Sequence, residues 1–168
     1  MRRADRPAVR GVRERAGRYA PSPPVPVVVD ASMAVLWFAN EPDAPSAAQL
    51  LEPAWALLAP DLMAVEATNA WWKKVRRHEM DRADVEQAVT NLLALDIAWA
   101  SCSGLIRPAI RLAIDLQHPV YDCLYLALAA SRSAALATAD DTLACAAGRV
   151  GISIWRPEGR HRRRPEVR

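Results

Sequence analysis

The sequence predicts an α/β domain with a parallel sheet that helices cover on both faces. Two observations lead to this prediction. Short apolar runs alternate with longer segments in which apolar residues recur at helical spacing. The first run, Val27-Val28-Val29, is continuously β-branched, which is typical of a strand buried on both faces. Repeated alternation of strand and helix indicates parallel strands that are joined by crossover helices.

The first half of the chain shows this alternation after a proline-rich start. Its predicted elements, in chain order, are a strand, two helices, a strand and two helices: 25–29, 32–38, 45–51, 54–59, 61–78 and 82–95. Ser32 marks the start of the first helix, and Pro60 ends the second strand. Asp61 and Asp81 are predicted N-caps of the two long helices, because Asp is a preferred residue at that position.

The second half repeats the pattern. Its predicted elements are a strand, two helices, a strand, a helix and a strand: 97–101, 105–116, 119–131, 134–139, 142–147 and 150–155. Pro108 falls in the first turn of the helix over 105–116, where proline is tolerated. Tyr121, Leu124, Tyr125 and Leu128 lie at core spacing in the next helix. The five strands together predict one parallel sheet.

Length and composition favour a single domain with disordered ends. The chain has 168 residues, 52% of them hydrophobic, which is sufficient for one substantial core. We place this domain at residues 25–156. Residues 1–24 form an Arg- and Pro-rich extension and residues 157–168 a basic tail, and we expect both to be disordered. No signal peptide or membrane span is recognised, and three cysteines without zinc spacing indicate reduced thiols in a cytoplasmic protein.

Four acidic residues interrupt segments that otherwise resemble core: Asp30, Glu66, Asp122 and Asp140. Asp and Glu are rarely buried unless they are paired or bind a metal. Asp30 and Asp140 follow predicted strands, whereas Glu66 and Asp122 lie in the first two turns of helices. Ligands of open α/β sheets bind outside the carboxyl ends of the strands. The four carboxylates can therefore converge at one edge of the sheet.

Such a cluster predicts a divalent cation and phosphodiester chemistry. Crowded carboxylates resist ionisation unless a cation neutralises their repulsion. Oxygen ligands suit Mg²⁺ or Mn²⁺, which polarise phosphoryl oxygens and activate water. Each acid also has a simpler explanation: Asp30 and Asp140 as helix caps, Asp122 as a first-turn acid favoured by the helix dipole, and Glu66 as a solvated residue. These separate explanations do not account for one shared edge.

Four segments, in this order, resemble the PIN domain family, and among its members the VapC-type toxins: 27–32, 60–69, 121–129 and 138–143. The resemblance implies a three-layer α/β/α sandwich around a central parallel sheet of about five strands. It implies an endoribonuclease that depends on Mg²⁺ or Mn²⁺ and acts in a toxin–antitoxin pair. It also implies a homodimer and inhibition by a cognate VapB-type antitoxin, with no membrane partner.

The resemblance assigns a role to each acid. Asp30, Asp122 and Asp140 hold the metal ion, and Glu66 completes the catalytic set by positioning water. Three further residues match polar positions that support the site in the family: Ser32, Asn69 and Thr138. Asp141 is an additional acid whose direction the sequence leaves open.

A basic stripe suggests an RNA contact. Glu66, Asn69, Lys73 and Arg76 recur at steps of three or four residues and so share one helix face. We hypothesise that Lys73 and Arg76 contact RNA phosphates. A solvated surface is the equally simple alternative.

Other classes of α/β protein fit less well. No GxGxxG or P-loop follows a strand, which disfavours a nucleotide-binding domain. A receiver domain needs a lysine near its last strand, but Lys73 and Lys74 lie in mid-chain. A phosphatase with a nucleophilic Asp needs a second Asp two residues later, where this chain has Ser32. The remaining alternative is a non-catalytic PIN-fold module that binds RNA or protein.

Overall fold

A computed structural model describes residues 23–38 and 42–157. Within them one parallel sheet has the strand order β3-β2-β1-β4. The strands are β1 (Val25–Val29), β2 (Trp55–Pro60), β3 (Ile97–Ala100) and β4 (Ala135–Ala137). The α/β prediction is confirmed. Disorder was expected for residues 1–24 and 157–168. Of these, only residues 23, 24 and 157 are described, so the prediction lies outside the described residues.

Seven helices connect the strands in the described part of the chain. They are α1 (Ala31–Trp37), α2 (Ala44–Ala48), α3 (Leu62–Arg76), α4 (Arg82–Ala94), α5 (Cys102–Leu116), α6 (Val120–Arg132) and α7 (Asp141–Arg149). A 3₁₀ turn, Gln49–Leu51, completes the second predicted helix. None of the described helices is long and apolar enough to cross a membrane.

The fifth predicted strand is reduced to one contact. A single parallel bridge joins Leu136 of β4 to Ile154. Leu136 N–H donates to the Ser153 carbonyl at 2.9 Å, and Trp155 N–H donates to the Leu136 carbonyl at 2.8 Å. Because β4 itself has only three residues, little edge is available for a longer pairing. The sheet therefore has four strands and one bridge where about five strands were expected.

The start of α5 differs from its prediction. The helix begins at Cys102 and not at 105, so Pro108 lies inside it and not in its first turn. Asp61 accounts for part of the difference. Its side chain was predicted to cap α3, but this prediction is wrong. The side chain instead accepts a hydrogen bond at 3.1 Å from the N–H of Cys102. The carboxylate thus satisfies a free donor at the start of a neighbouring helix.

The core lies on both faces of the sheet. Val27, Val28 and Val29 have no exposed surface, in agreement with a strand covered on two sides. Helix α6 packs against α5 and crosses β1, β2 and β4, while α1 packs against α2 and α3. Residues 123–129 of α6 are all buried. Tyr121, predicted at a core position, is 65% exposed because it lies in the first turn of the helix, so its burial prediction is wrong. The result is a three-layer α/β/α arrangement.

The strand order creates a switch point at β1. From β1 the chain moves to β2 and then β3 on one side, whereas β4 is added on the other side of β1. Right-handed crossovers to opposite sides place the connecting helices on opposite faces of the sheet. A crevice opens at the carboxyl ends of the two strands between which the direction reverses. Here those strands are β1 and β4.

Candidate active site

Asp30 lies at this switch point, directly after β1. Its side chain is only 7% exposed, and it is the one buried charged residue in the described part of the chain. Oδ2 accepts hydrogen bonds from the Ser32 hydroxyl at 2.5 Å and the Thr138 hydroxyl at 2.9 Å. Val29 pairs with Ala137, the last residue of β4, so Thr138 lies opposite Asp30. The structure thus places two of the three predicted support residues, Ser32 and Thr138, at the first acid.

Glu66 approaches the same crevice from α3. Its carboxylate is half-buried, and Oε2 accepts a hydrogen bond from the Tyr125 hydroxyl at 2.5 Å. Tyr125 is completely buried in α6. The sequence analysis treated Tyr125 only as a core residue and missed this contact. The available signal was the phenol itself, because a buried tyrosine hydroxyl normally needs a hydrogen-bond partner.

Asp122 occupies the first turn of α6. Its side chain is 31% exposed, and Oδ2 lies 2.8 Å from Nε2 of His118. The two atoms are close enough for an ion pair when the imidazole is protonated, although they are out of line for a hydrogen bond. His118 follows Gln117, which ends α5 in the left-handed conformation with φ of 53°. The sequence offered no indication that His118 would meet this acid.

Asp140 has a capping role that the sequence analysis named as its simpler explanation. Its Oδ1 accepts hydrogen bonds from the N–H groups of Thr142 at 2.7 Å and Leu143 at 3.1 Å, at the start of α7. Its own N–H donates to the Thr138 hydroxyl at 3.0 Å. Oδ2 makes no hydrogen bond with any described residue. One oxygen therefore holds the helix, and the other is available to a ligand.

Electrostatic coupling ties the four acids together. Burial raises the pKa of Glu66, and the charges of Asp30 and Asp122 raise it further, against the opposing effect of the Tyr125 hydrogen bond. Burial also raises the pKa of Asp122, to which Asp30 and Asp140 add repulsion while His118 opposes the shift. Charges influence one another in this way only over short distances. These charge effects support the predicted convergence of the acids at one edge, which stays a prediction.

The acids do not form a closed coordination shell. Among residues 23–38 and 42–157, no three acidic, His or Cys side chains are arranged as a ready set of metal ligands. The chemistry of the donors nevertheless fits Mg²⁺, since carboxylate oxygens surround the crevice and hard cations prefer oxygen. Burial is the main cause of the raised pKa values of Glu66 and Asp122, and repulsion from the neighbouring acids adds to it.

The predicted RNA-contacting stripe follows the exposed side of α3. Lys73 and Arg76 are both exposed, and the Arg76 guanidinium lies 5.1 Å from the centre of the Trp72 ring. Asn69 is exposed too and lines a groove between α3 and α4. Asn69 makes no hydrogen bond to the four acids among the described residues, so it does not support the site in the way that Ser32 and Thr138 do.

In the absence of metal, we expect Glu66 and Asp122 to lower the free energy of unfolding as the pH rises from about 4 to about 8. The ordinary pKa values are 4.5 for Glu66 and 3.8 for Asp122, and both are raised by folding. Between the ordinary and the raised values the folded state binds more protons than the unfolded chain, so the free energy of unfolding falls with pH. The penalty is absent below the ordinary values and complete above the raised ones.

Thermal unfolding in EDTA across this pH range measures the effect. Asp122→Asn should flatten the profile, while Asp96→Asn, an exposed substitution before β3, serves as the matched control. A wild-type profile as flat as that of Asp122→Asn would contradict the expected repulsion.

Comparison with known proteins yields a family match and a fold match. The family model for the PIN domain matches residues 27–148. No curated protein sequence matches the chain. PAE2754 from Pyrobaculum aerophilum is 22% identical, with 73% of this chain and 79% of that chain covered and a TM-score of 0.59. VapC20 of Mycobacterium tuberculosis, named as a sarcin-ricin loop cleaving toxin, is 14% identical, with a TM-score of 0.59. The match covers 78% of this chain and 99% of VapC20. At these identities the two structures show similarity of fold.

Proposed function

The chain belongs to the PIN domain family, and from that membership we propose that it is a metal-dependent endoribonuclease that hydrolyses RNA phosphodiesters. We further propose that it is the toxin of a VapBC-type toxin–antitoxin pair. One observation carries the proposal of catalysis: the charges of Asp30 and Asp122 raise the pKa of Glu66, and those of Asp30 and Asp140 raise the pKa of Asp122. The VapC20 fold match, to a protein named as a sarcin-ricin loop cleaving toxin, supports the same proposal.

The proposed cofactor is Mg²⁺ or Mn²⁺, held by Asp30, Asp122 and Asp140. When bound, such an ion polarises the phosphoryl group and makes hydroxide available near neutral pH. Asp140 contributes the oxygen that does not cap α7. The proposal is supported by the oxygen-only donor set and by the repulsion that Asp30 and Asp140 exert on Asp122, which a cation would relieve.

The chain's own residues prepare the reaction. Two hydroxyls, from Ser32 and Thr138, hold one oxygen of Asp30 in place. Tyr125 holds one oxygen of Glu66 and leaves the other free to accept a proton from water. We propose that Glu66 orients the water for in-line attack on phosphorus, since its raised pKa moves it toward the operating pH of a general base.

A cleavage assay separates this function from the non-catalytic alternative. Purified protein is incubated with labelled RNA in Mg²⁺, in Mn²⁺ and in EDTA, and binding is measured in parallel. We expect cleavage that requires the metal and disappears in Asp122→Asn. RNA binding without cleavage under all conditions would favour the binding module, and cleavage in EDTA would contradict the metal mechanism.

Two exposed apolar surfaces support the proposed protein partners. Val65, Trp72 and Leu93 line the groove between α3 and α4, and we propose that a VapB-type antitoxin covers it. A row of exposed isoleucines on α5 is the proposed homodimer contact: Ile106, Ile110 and Ile114. Apolar patches of this kind are typical of protein interfaces. A cytoplasmic location is likewise a proposal, supported by the three free cysteines.

We expect Lys73→Ala combined with Arg76→Ala to weaken RNA binding and to reduce its dependence on salt. Each lost phosphate contact on a single strand reduces the magnitude of the slope of log affinity against log salt by about 0.7. The slope of the double variant should therefore be smaller in magnitude by about 1.4. Filter binding between 50 and 200 mM salt measures the slope. Arg107→Ala with Arg111→Ala, on exposed positions of α5, removes the same charge elsewhere. Equal losses in both double variants would show a general charge effect and no defined contact.

A further inference from the structure

A pocket of about 160 Å³ opens next to the acids, between α1, α2, α7 and the segment around Trp155. Thr138 and Ala139 form the wall that faces the site. The Thr138 hydroxyl donates to Asp30, and the Ala139 N–H donates to the Ser32 hydroxyl at 2.9 Å. The same two residues therefore line the pocket and hold the most buried acid of the site.

The pocket combines apolar walls with polar groups. Met33, Leu36 and Ala47 contribute apolar surface from α1 and α2. Asp141 and Arg156, both exposed, add a hydrogen-bond acceptor and a donor, and no described residue forms an ion pair with either of them. Specific small-molecule sites have this composition, in which apolar walls enclose the ligand and a few polar groups orient it.

Trp155 lines the pocket, but its indole nitrogen lies beneath the surface. The side chain is only 7% exposed, and its indole N–H has no hydrogen-bond partner among the described residues. The indole of Trp37, in contrast, donates to the Ala47 carbonyl at 2.9 Å. Because this nitrogen has almost no exposed surface, a molecule in the pocket reaches the N–H only if the wall moves. The indole signal of Trp155 nevertheless reports on changes in the pocket wall.

We propose that this pocket binds the base of the RNA nucleotide next to the scissile phosphate and so determines a base preference. The inference rests on the proposed ribonuclease function. Proteins recognise unpaired RNA bases through aromatic and apolar contacts on the ring faces and hydrogen bonds on the ring edge. Guanine matches the exposed polar groups of the pocket, because its O6 and N7 can accept hydrogen bonds from Arg156 while its amino group can donate to Asp141.

Direct binding is tested without catalysis, by NMR of the ¹⁵N-labelled protein in EDTA. The indole signal of Trp155 is assigned from its absence in Trp155→Phe. GMP should shift this signal at lower concentration than AMP, CMP or UMP, and ribose 5-phosphate should not shift it. No shift with any nucleotide, or an equal shift with ribose 5-phosphate, would contradict the proposal that the pocket binds a base. A stronger shift with another base would overturn the assignment to guanine.

Base specificity is tested by two single substitutions on helix α7. Ala144 of α7 lines the pocket, and Ala144→Leu fills it, whereas Cys145→Leu adds similar bulk at the neighbouring exposed position. Sequencing of cleavage products from a random RNA pool in Mg²⁺ gives the base preference of each protein. We expect Ala144→Leu to reduce the preference for guanine about tenfold, as expected for the loss of one base contact, and Cys145→Leu to preserve it.

The two tests fail independently. If the wild-type protein cleaves no RNA, the proposed ribonuclease function is wrong, and the NMR titration still decides whether the pocket binds a base. If the wild type cleaves RNA and Ala144→Leu retains the full preference of the wild type, the pocket is not the source of specificity and the ribonuclease function stands.

Discussion

Asp30→Asn is expected to lower the rate of RNA cleavage by about a thousandfold. The substitution removes a proposed metal ligand, and metal polarisation of a phosphoryl group contributes several kcal/mol to transition-state stabilisation. The asparagine carbonyl can still accept from Ser32 and Thr138, so the local hydrogen bonds are retained. Activity should therefore disappear from a protein that remains folded.

The same variant should change the neighbouring acid. The charge of Asp30 contributes to the raised pKa of Glu66. With a neutral residue at position 30, the pKa of Glu66 should move down, toward its ordinary value. Titration of the ¹³C-labelled carboxyl groups by NMR in EDTA measures this shift and does not depend on the loss of activity.

Asp96→Asn provides a matched control for the activity assay, because Asp96 is exposed and precedes β3 at the opposite edge of the sheet. It should cleave at the wild-type rate. If Asp30→Asn retained cleavage comparable to the wild type, the proposed metal site would be wrong. If it unfolded, circular dichroism would reveal this, and the Asp122→Asn assay would decide the question in its place.

Tyr125→Phe is expected to slow cleavage by 10- to 100-fold, the usual effect of removing a residue that orients a catalytic or metal-bound group. Tyr125 is a positioning residue: its hydroxyl donates to Glu66 and has no proposed contact with RNA. Without that hydrogen bond the half-buried carboxylate loses its donor, and its pKa should rise further. The fall should appear in kcat, with RNA affinity unchanged.

Tyr121→Phe is the matched control on the same helix, since Tyr121 is 65% exposed. It removes the same hydroxyl from the surface and should leave kcat unchanged. Single-turnover kinetics with saturating enzyme separates the chemical step from binding. A wild-type rate in Tyr125→Phe would show that Glu66 needs no support from α6, and a fall in affinity without a fall in kcat would indicate a different role for Tyr125.

Local sequence patterns determined the elements and the edge at which the acids meet. A β-branched run followed directly by Asp30 predicts a buried strand with a polar group at its carboxyl end, because both properties depend on neighbours in sequence. The same holds for Asp81, whose predicted capping of α4 is confirmed by its hydrogen bond to the Asp84 N–H at 2.9 Å. All seven helices were predicted because helical periodicity is repeated within each segment.

The partners that lie far from the acids in sequence were decided by the tertiary structure. Thr138 meets Asp30 because β4 pairs with β1, and Tyr125 meets Glu66 because α6 and α3 both pack against β2. Asp61 likewise reaches Cys102 across 41 positions. Such contacts depend on which strands are neighbours and which helix faces pack together. Periodicity predicts that a face is buried, but the residue that it is buried against follows from the packing of the whole chain.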